Sequence, residues 1–278
     1  MVETIKHFNN IITFLYVKEF RQRFISTTIL AFLFIFIFLL GNPFVSIVFS
    51  ILFSFVFFEY EKLTSKNLQK LQILKVLLLQ MILLFFTIFE SYKIEYISSL
   101  FNNFLMFLFV SVFFNTIFLL YKKAKLIDFI LSNLIILSFF SLIGILNSSN
   151  GIYKVLYAVI LVSTMDIFAY LGGKLFGKRK IIPFISKGKT VEGSIIGLAS
   201  TIIISYFIKD LMNFNIIYSI VYGFLIGITA FSGDLLESFF KRKIGVKDSG
   251  KLIPGHGGLM DRFDGYFFVM PFLYISIN

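Results

Sequence analysis

Ser238-Phe-Phe-Lys241-Arg242-Lys-Ile-Gly-Val-Lys247-Asp248-Ser-Gly-Lys251-Leu-Ile-Pro254-Gly-His256-Gly257-Gly258-Leu-Met-Asp261-Arg262-Phe-Asp264 is the most polar stretch of a very apolar chain. It lies between two long hydrophobic runs, and that contrast decides the fold class. The 278 residues are 58% hydrophobic and only 15% charged, with a mean hydropathy of +0.91. A water-soluble domain is about half apolar and about a quarter charged. A chain this apolar cannot hide its surface in a soluble core, so the sequence predicts an all-α, polytopic membrane protein. The 40 phenylalanines fit lipid-facing positions better than an aromatic ligand box.

On a criterion of ~20 apolar residues per span, about nine transmembrane helices are expected. They fall near 26–41, 43–58, 71–89, 99–121, 126–147, 152–172, 191–208, 214–237 and 261–277. The basic residues test this count. The N-terminal segment and the even-numbered connections hold 23 of the 26 Lys and Arg, leaving only Lys93, Lys154 and Lys209 for the other side. The positive-inside rule places the N-terminus and the even connections in the cytoplasm and the C-terminus outside. The same placement explains the net charge of +11 without nucleic acid as a partner. Residues 1–25 lack the compact apolar core and cleavage site of a signal peptide and read as a cytoplasmic interfacial helix. Residues 26–147 read as a transmembrane scaffold, and residues 152–278 as a transmembrane catalytic half.

Cysteine is absent and the histidines are His7 and His256, so thiolate and multi-histidine metal sites are excluded. A metal here would take oxygen ligands, which points to Mg²⁺ or a similar hard cation. Asp234, Ser238 and Lys241 sit at i, i+4 and i+7, one face of a helix. A carboxylate in a span is costly and normally faces a polar cavity. Asp261 and Asp264 are spaced i, i+3 at the start of the last apolar run, after Gly257-Gly258. Backbone N–H groups in such a turn suit phosphate oxygens. Asp234 and Asp261 are the first-choice metal ligands, with Asp264 and Asp248 behind them. Lys241, Arg242 and Arg262 are expected on phosphate, since guanidinium groups bind it bidentately. Lys247 divides evenly between that role and an ordinary basic loop, and His256 reads as a turn residue or phosphate donor. A second motif runs from Asp166 through Ala169-Tyr170, Gly173 and Phe176-Gly177-Lys178 to Ser186, Lys189-Thr190 and Glu192-Gly193. Lys189 and Thr190 open a helix, and Glu192 fits its first turn.

Both motifs resemble the CDP-diacylglycerol synthase (phosphatidate cytidylyltransferase) family. The Ser238–Asp264 stretch matches without gaps. The second motif matches Asp–Ala-Tyr–Gly–Phe-Gly-Lys and Ser-Pro-Lys-Lys-Thr-x-Glu-Gly, with Lys187 in place of the proline and Gly188 in place of one lysine. The resemblance covers roughly 152–270. It implies a membrane nucleotidyltransferase of phospholipid biosynthesis that joins CTP and phosphatidic acid to give CDP-diacylglycerol and pyrophosphate. It places Asp234, Ser238, Lys241, Arg242 and Asp261 at the reaction. Substrate binding falls to Asp166, Lys189, Thr190, Glu192, Lys247, Asp248, His256, Gly257, Gly258 and Arg262, and Asp234, Asp261 and Asp264 would hold Mg²⁺, with or without a second cation. The implied partners are CTP, phosphatidic acid and the bilayer of the cell membrane, with a homodimer left open. Two rivals share parts of the pattern: another lipid nucleotidyl- or phosphotransferase, of the CDP-archaeol synthase or polyprenol kinase type, and a secondary transporter.

The charge distribution gives a first prediction. Single cysteines introduced as Lys123→Cys and Ser149→Cys should label from opposite faces of the membrane with an impermeant thiol reagent. Labelling of both from one face would overturn the assigned topology.

Overall fold

In lipid every backbone N–H and C=O must be satisfied within the chain, so long apolar runs become helices. The computed structural model describes residues 32, 36–65, 70–92, 103–186, 188–250, 252 and 257–277. The helices are α1 (Phe44–Thr64), α2 (Lys70–Tyr92), α3 (Asn103–Tyr121), α4 (Leu126–Asn147), α5 (Gly151–Phe176), α6 (Val191–Phe207), α7 (Ile216–Lys243), the single turn α8 (Met260–Phe263) and α9 (Tyr266–Ile277). A 3₁₀ turn, Lys209–Met212, joins α6 to α7. An isolated antiparallel bridge joins Lys180 and Thr190.

The all-α polytopic class holds, but the count of about nine spans does not follow from these helices. Six of them, α1 to α5 and α7, are long and apolar enough to cross a membrane, while α6 and α9 are apolar but shorter. The expected first span and the interfacial segment 1–25 lie largely or wholly outside the described residues. The expected last span is divided at Asp264-Gly265. There the Asp264 carboxylate turns back to accept the N–H of Gly265 at 2.7 Å, and α9 begins only at Tyr266. In the other direction α7 runs to Lys243 rather than ending at 237, which puts Ser238, Lys241 and Arg242 on the helix.

Long-range contacts sort the helix ends into two groups. At one end the Tyr60 hydroxyl donates to Asp128 O at 2.9 Å, Arg242 Nε donates to Ile185 O at 3.0 Å, and Tyr60 stacks on Phe240 at 5.7 Å. This end gathers the close of α1, α5 and α7 and the start of α4, α6 and α8. At the other end Asn42 reaches Leu146 O, the Tyr157 hydroxyl meets Ser205 Oγ at 2.6 Å, and the Tyr222 hydroxyl donates to Ser276 O at 3.0 Å. The grouping agrees with the clustering of basic connections along the chain. Close approach of α5 and α6 depends on small residues: a Cβ on Gly193 would lie 2.9 Å from the Cα of Gly173.

The N-terminal half carries a charge cluster of its own. Glu61 is buried and lies 2.6 Å from the Lys75 ammonium, which sits between the rings of Phe57 and Phe118. Removing one member of a buried pair costs about 3–5 kcal/mol, whereas replacing both by apolar groups is often neutral. Glu61→Leu should therefore lower the melting temperature in detergent markedly, and adding Lys75→Met should recover most of the loss. Equal destabilisation by the single and double variants would show that the pair does not hold α1 to α2.

Candidate active site

Lys241, near the end of α7, is where the polar loop meets the bundle. Its ammonium donates to Asp261 Oδ1 at 2.6 Å and lies 2.5 Å from Glu237 Oε2, one helical turn back. Glu237 is fully buried, and that second contact is a close ion pair without hydrogen-bond alignment. Asp261 also accepts the Ser249 N–H, at 3.0 Å on Oδ2, and the Gly258 N–H at 2.9 Å. The carboxylate thus pins both ends of the loop. The Gly257-Gly258 turn is shaped around it: Gly257 has φ +87°, and a Cβ there would lie 2.9 Å from Asp261 Oδ2. The Gly258 N–H, expected to be exposed for phosphate, instead donates to Asp261 Oδ2.

Asp234 lies a turn and more earlier on α7, half-buried. Its Oδ1 accepts the Ser238 hydroxyl at 3.3 Å, and its Oδ2 lies 2.6 Å from the Lys189 ammonium. Gly233 beside it lets the Asp264 carbonyl approach α7 more closely than any side chain would allow. Asp264 consequently feels the charges of Asp234, Glu237 and Asp166 together. Asp166, from α5, in turn feels Asp234, Lys189 and Arg262. Asp166, Asp234 and Asp264, from α5, α7 and the turn before α9, thus lie near enough to act on one another's charge. Asp166, Tyr170, Lys174, Lys189, Thr190 and Asp234 line one cavity of about 430 Å³.

Other expected residues take different places. Thr190 caps α6, its hydroxyl accepting the Gly193 N–H at 3.2 Å. Glu192 does not line the cavity; its Oε2 accepts the N–H groups of Lys178 and Arg179 at 3.0 and 3.2 Å and braces the turn before α6. Arg242 directs Nε to Ile185 O and Nη1 to Val246 O, at 3.0 and 2.9 Å, tying the two motifs together. Lys247 and Asp248 are exposed on the loop. His256 lies outside the described residues. Sequence reasoning missed Glu59, at the end of α1, whose carboxylate reaches the loop and accepts the Met260 N–H at 2.8 Å. Its only signal was a second acid close to Glu61 in an apolar helix.

Among the described residues no three carboxylate or imidazole side chains close on one point to form a metal site by themselves. The donor chemistry nevertheless suits a hard cation. Asp166, Asp234 and Asp264 are oxygen donors crowded together against one another's charge, and Mg²⁺ commonly uses one or two carboxylates with substrate phosphates completing its shell.

A helical membrane protein with acids and lysines gathered at one end around an open cavity has the makings of a phosphate-handling enzyme. The chain belongs to the Cytidylyltransferase family, whose model matches residues 21–278. It is 45% identical over 131 residues to the phosphatidate cytidylyltransferase of Staphylococcus aureus strain COL, covering 46% of this chain and 50% of that one. It is also 44% identical over 133 residues to the uncharacterized protein YnbB of Escherichia coli K12, covering 48% of this chain and 45% of that one. The chain thus matches about half the length of these relatives.

Arg242 supplies a test of how the two motifs are joined. Arg242→Lys keeps the charge but loses the planar fork that spans two carbonyls. A hydrogen bond to a charged group contributes about 1.5–3 kcal/mol. Amide exchange in 181–190 should therefore rise by about tenfold or more. Unchanged exchange would remove Arg242 as the tie between them.

Proposed function

We propose that this chain is a phosphatidate cytidylyltransferase that converts CTP and phosphatidic acid to CDP-diacylglycerol and pyrophosphate. The observation that carries the reading is the convergence of Asp166, Asp234 and Asp264 with Lys189 and Arg262 at one end of a transmembrane bundle. A water-soluble anionic nucleotide and a bilayer lipid can meet only at such a boundary. Membership of the family and the staphylococcal relatives support the same reading.

In the reaction, a phosphate oxygen of phosphatidate attacks the α-phosphorus of CTP, and the bond to the bridging oxygen of pyrophosphate breaks. The lipid phosphate is anionic near neutral pH, so no general base is needed. What the protein contributes is position and charge neutralisation. Lys189 would balance phosphate charge at the cavity, Arg262 would offset the charge of Asp166, and the start of α6 beside Thr190 adds the positive end of a helix dipole. Lys241 would act on the leaving pyrophosphate once released from Asp261, and otherwise orders that carboxylate. Ser238 holds Asp234, while Arg242 keeps the 181–190 loop against α7. Mg²⁺, with or without a second cation, would be held by Asp234 with Asp264 or Asp261, and would supply charge neutralisation on the triphosphate. The same reading places the active-site end in the cytoplasm of a bacterial cell membrane, where the basic connections belong.

Purified protein given CTP, Mg²⁺ and phosphatidate in mixed micelles should release pyrophosphate and form CDP-diacylglycerol. Asp234→Asn, which keeps size and loses charge, should lower kcat/KM by at least about a hundredfold, ~2.7 kcal/mol. Lipid acceptors such as a polyprenol should not substitute. Turnover with those acceptors and none with phosphatidate would replace this reading with its nearest rival.

A further inference from the structure

The N-terminal half reads as scaffold, yet one of its side chains enters the loop that holds Asp261. Glu59 lies near the end of α1 and is 4% exposed. Its Oε2 accepts the Met260 N–H at 2.8 Å and the Ser249 hydroxyl at 3.2 Å. Ser249 and Met260 are the two sides of the loop, and Asp261 accepts the Ser249 N–H from the opposite direction. The loop is therefore held between two carboxylates on different elements. Two glycines are fitted to the arrangement. A Cβ on Gly250 would lie 2.5 Å from Glu59 Oε1, and one on Gly258 would lie 2.7 Å from Oε2. Aromatic packing keeps α1 at this depth: Tyr60 stacks on Phe240, and Phe49 meets Phe263 edge-on at 6.5 Å.

We propose that Glu59 is a positioning residue: its carboxylate fixes the spacing between Ser249 and Met260, and through them the place of Asp261 and its Lys241 partner. The catalytic consequence rests on the phosphatidate cytidylyltransferase reading above; the structural consequence does not. Two features argue for a dedicated role over general packing. A carboxylate is an expensive group to bury among backbone amides, and among the described residues no ion pair to Glu59 is present. Its Oε1 is also buried with no hydrogen-bond partner among the described residues, a cost that an apolar side chain would avoid. What the carboxylate provides, and an apolar side chain lacks, is an acceptor for two donors 11 residues apart, Ser249 and Met260. Displacing catalytic groups by about 1 Å can cost on the order of a hundredfold in rate.

The test uses Glu59→Leu and Glu59→Gln in the full chain, with Lys75→Met as a control that unbalances the remote ion pair. Hydrogen exchange is read across 248–262 and across α1, and kcat and KM for CTP are read in the pyrophosphate assay. Glu59→Leu should raise exchange in 248–262 at least about tenfold while α1 keeps its protection. It should lower kcat by about 10–100-fold with KM for CTP within about twofold. Glu59→Gln retains one acceptor and should restore most of both. Lys75→Met should lower stability without a selective change in 248–262. If Glu59→Leu does not fold, Ser249→Ala decides the point, because it removes one of the two donors and should raise exchange at Met260. Exchange unchanged in 248–262, or raised equally across α1, overturns the proposal. A wild-type protein inactive with CTP and phosphatidate overturns the functional reading instead, and the exchange data then judge the positioning role alone.

Discussion

The structure of the site depends on one buried cation. Lys241 is nine-tenths buried and lies against two carboxylates, Glu237 on its own helix and Asp261 on the next element. A charge in that setting cannot be left unpaired without a cost of several kcal/mol. The return of the chain to Lys241 is therefore strongly constrained: Asp261 must come back to α7 at one height and one angle. The loop between them follows from that demand. Gly257 takes its left-handed turn, and Ser249 and Gly258 turn their N–H groups inward onto Asp261 Oδ2, while Oδ1 takes the Lys241 ammonium.

The acids around Asp234 obey a different balance. Asp166, Asp234 and Asp264 come from α5, α7 and the turn before α9, and each raises the electrostatic cost of the others. Lys189 offsets part of this at Asp234, and Arg262 acts on Asp166. In the proposed reading, a divalent cation at these acids would draw in a triphosphate that bare carboxylates would repel. Lys241 and Lys189 thus divide the labour between an ordered, sealed pair and an open, lined cavity.

The two halves of the chain are less separate than their composition implies. α1 supports the site with Glu59 on the loop, Tyr60 on Phe240 and, about three turns earlier, Phe49 on Phe263. Small residues make that closeness affordable sterically: Gly233 receives the Asp264 carbonyl, and Gly250 and Gly258 receive Glu59.

Much of this was legible in the sequence. Apolar run length gave the helical class, because lipid leaves the backbone no other partner. The clustering of basic residues grouped the connections, and the contacts of the helix ends agree with that grouping. Helical spacing aligned Asp234, Ser238 and Lys241, and Lys189-Thr190 was readable as a helix start, since such relations involve residues within two turns. Tertiary structure alone decided the rest. Glu59 and Met260 are 201 residues apart, and no periodicity links them. Glu192 looked like a site acid and proved to brace Lys178 and Arg179. The last span broke at Asp264-Gly265 because the Asp264 side chain bonds its neighbour's N–H while its carbonyl packs on Gly233. Local pattern records what each residue prefers among its neighbours in the chain. Which distant donor a buried carboxylate finds is settled only when the helices pack, because only then does water cease to satisfy it.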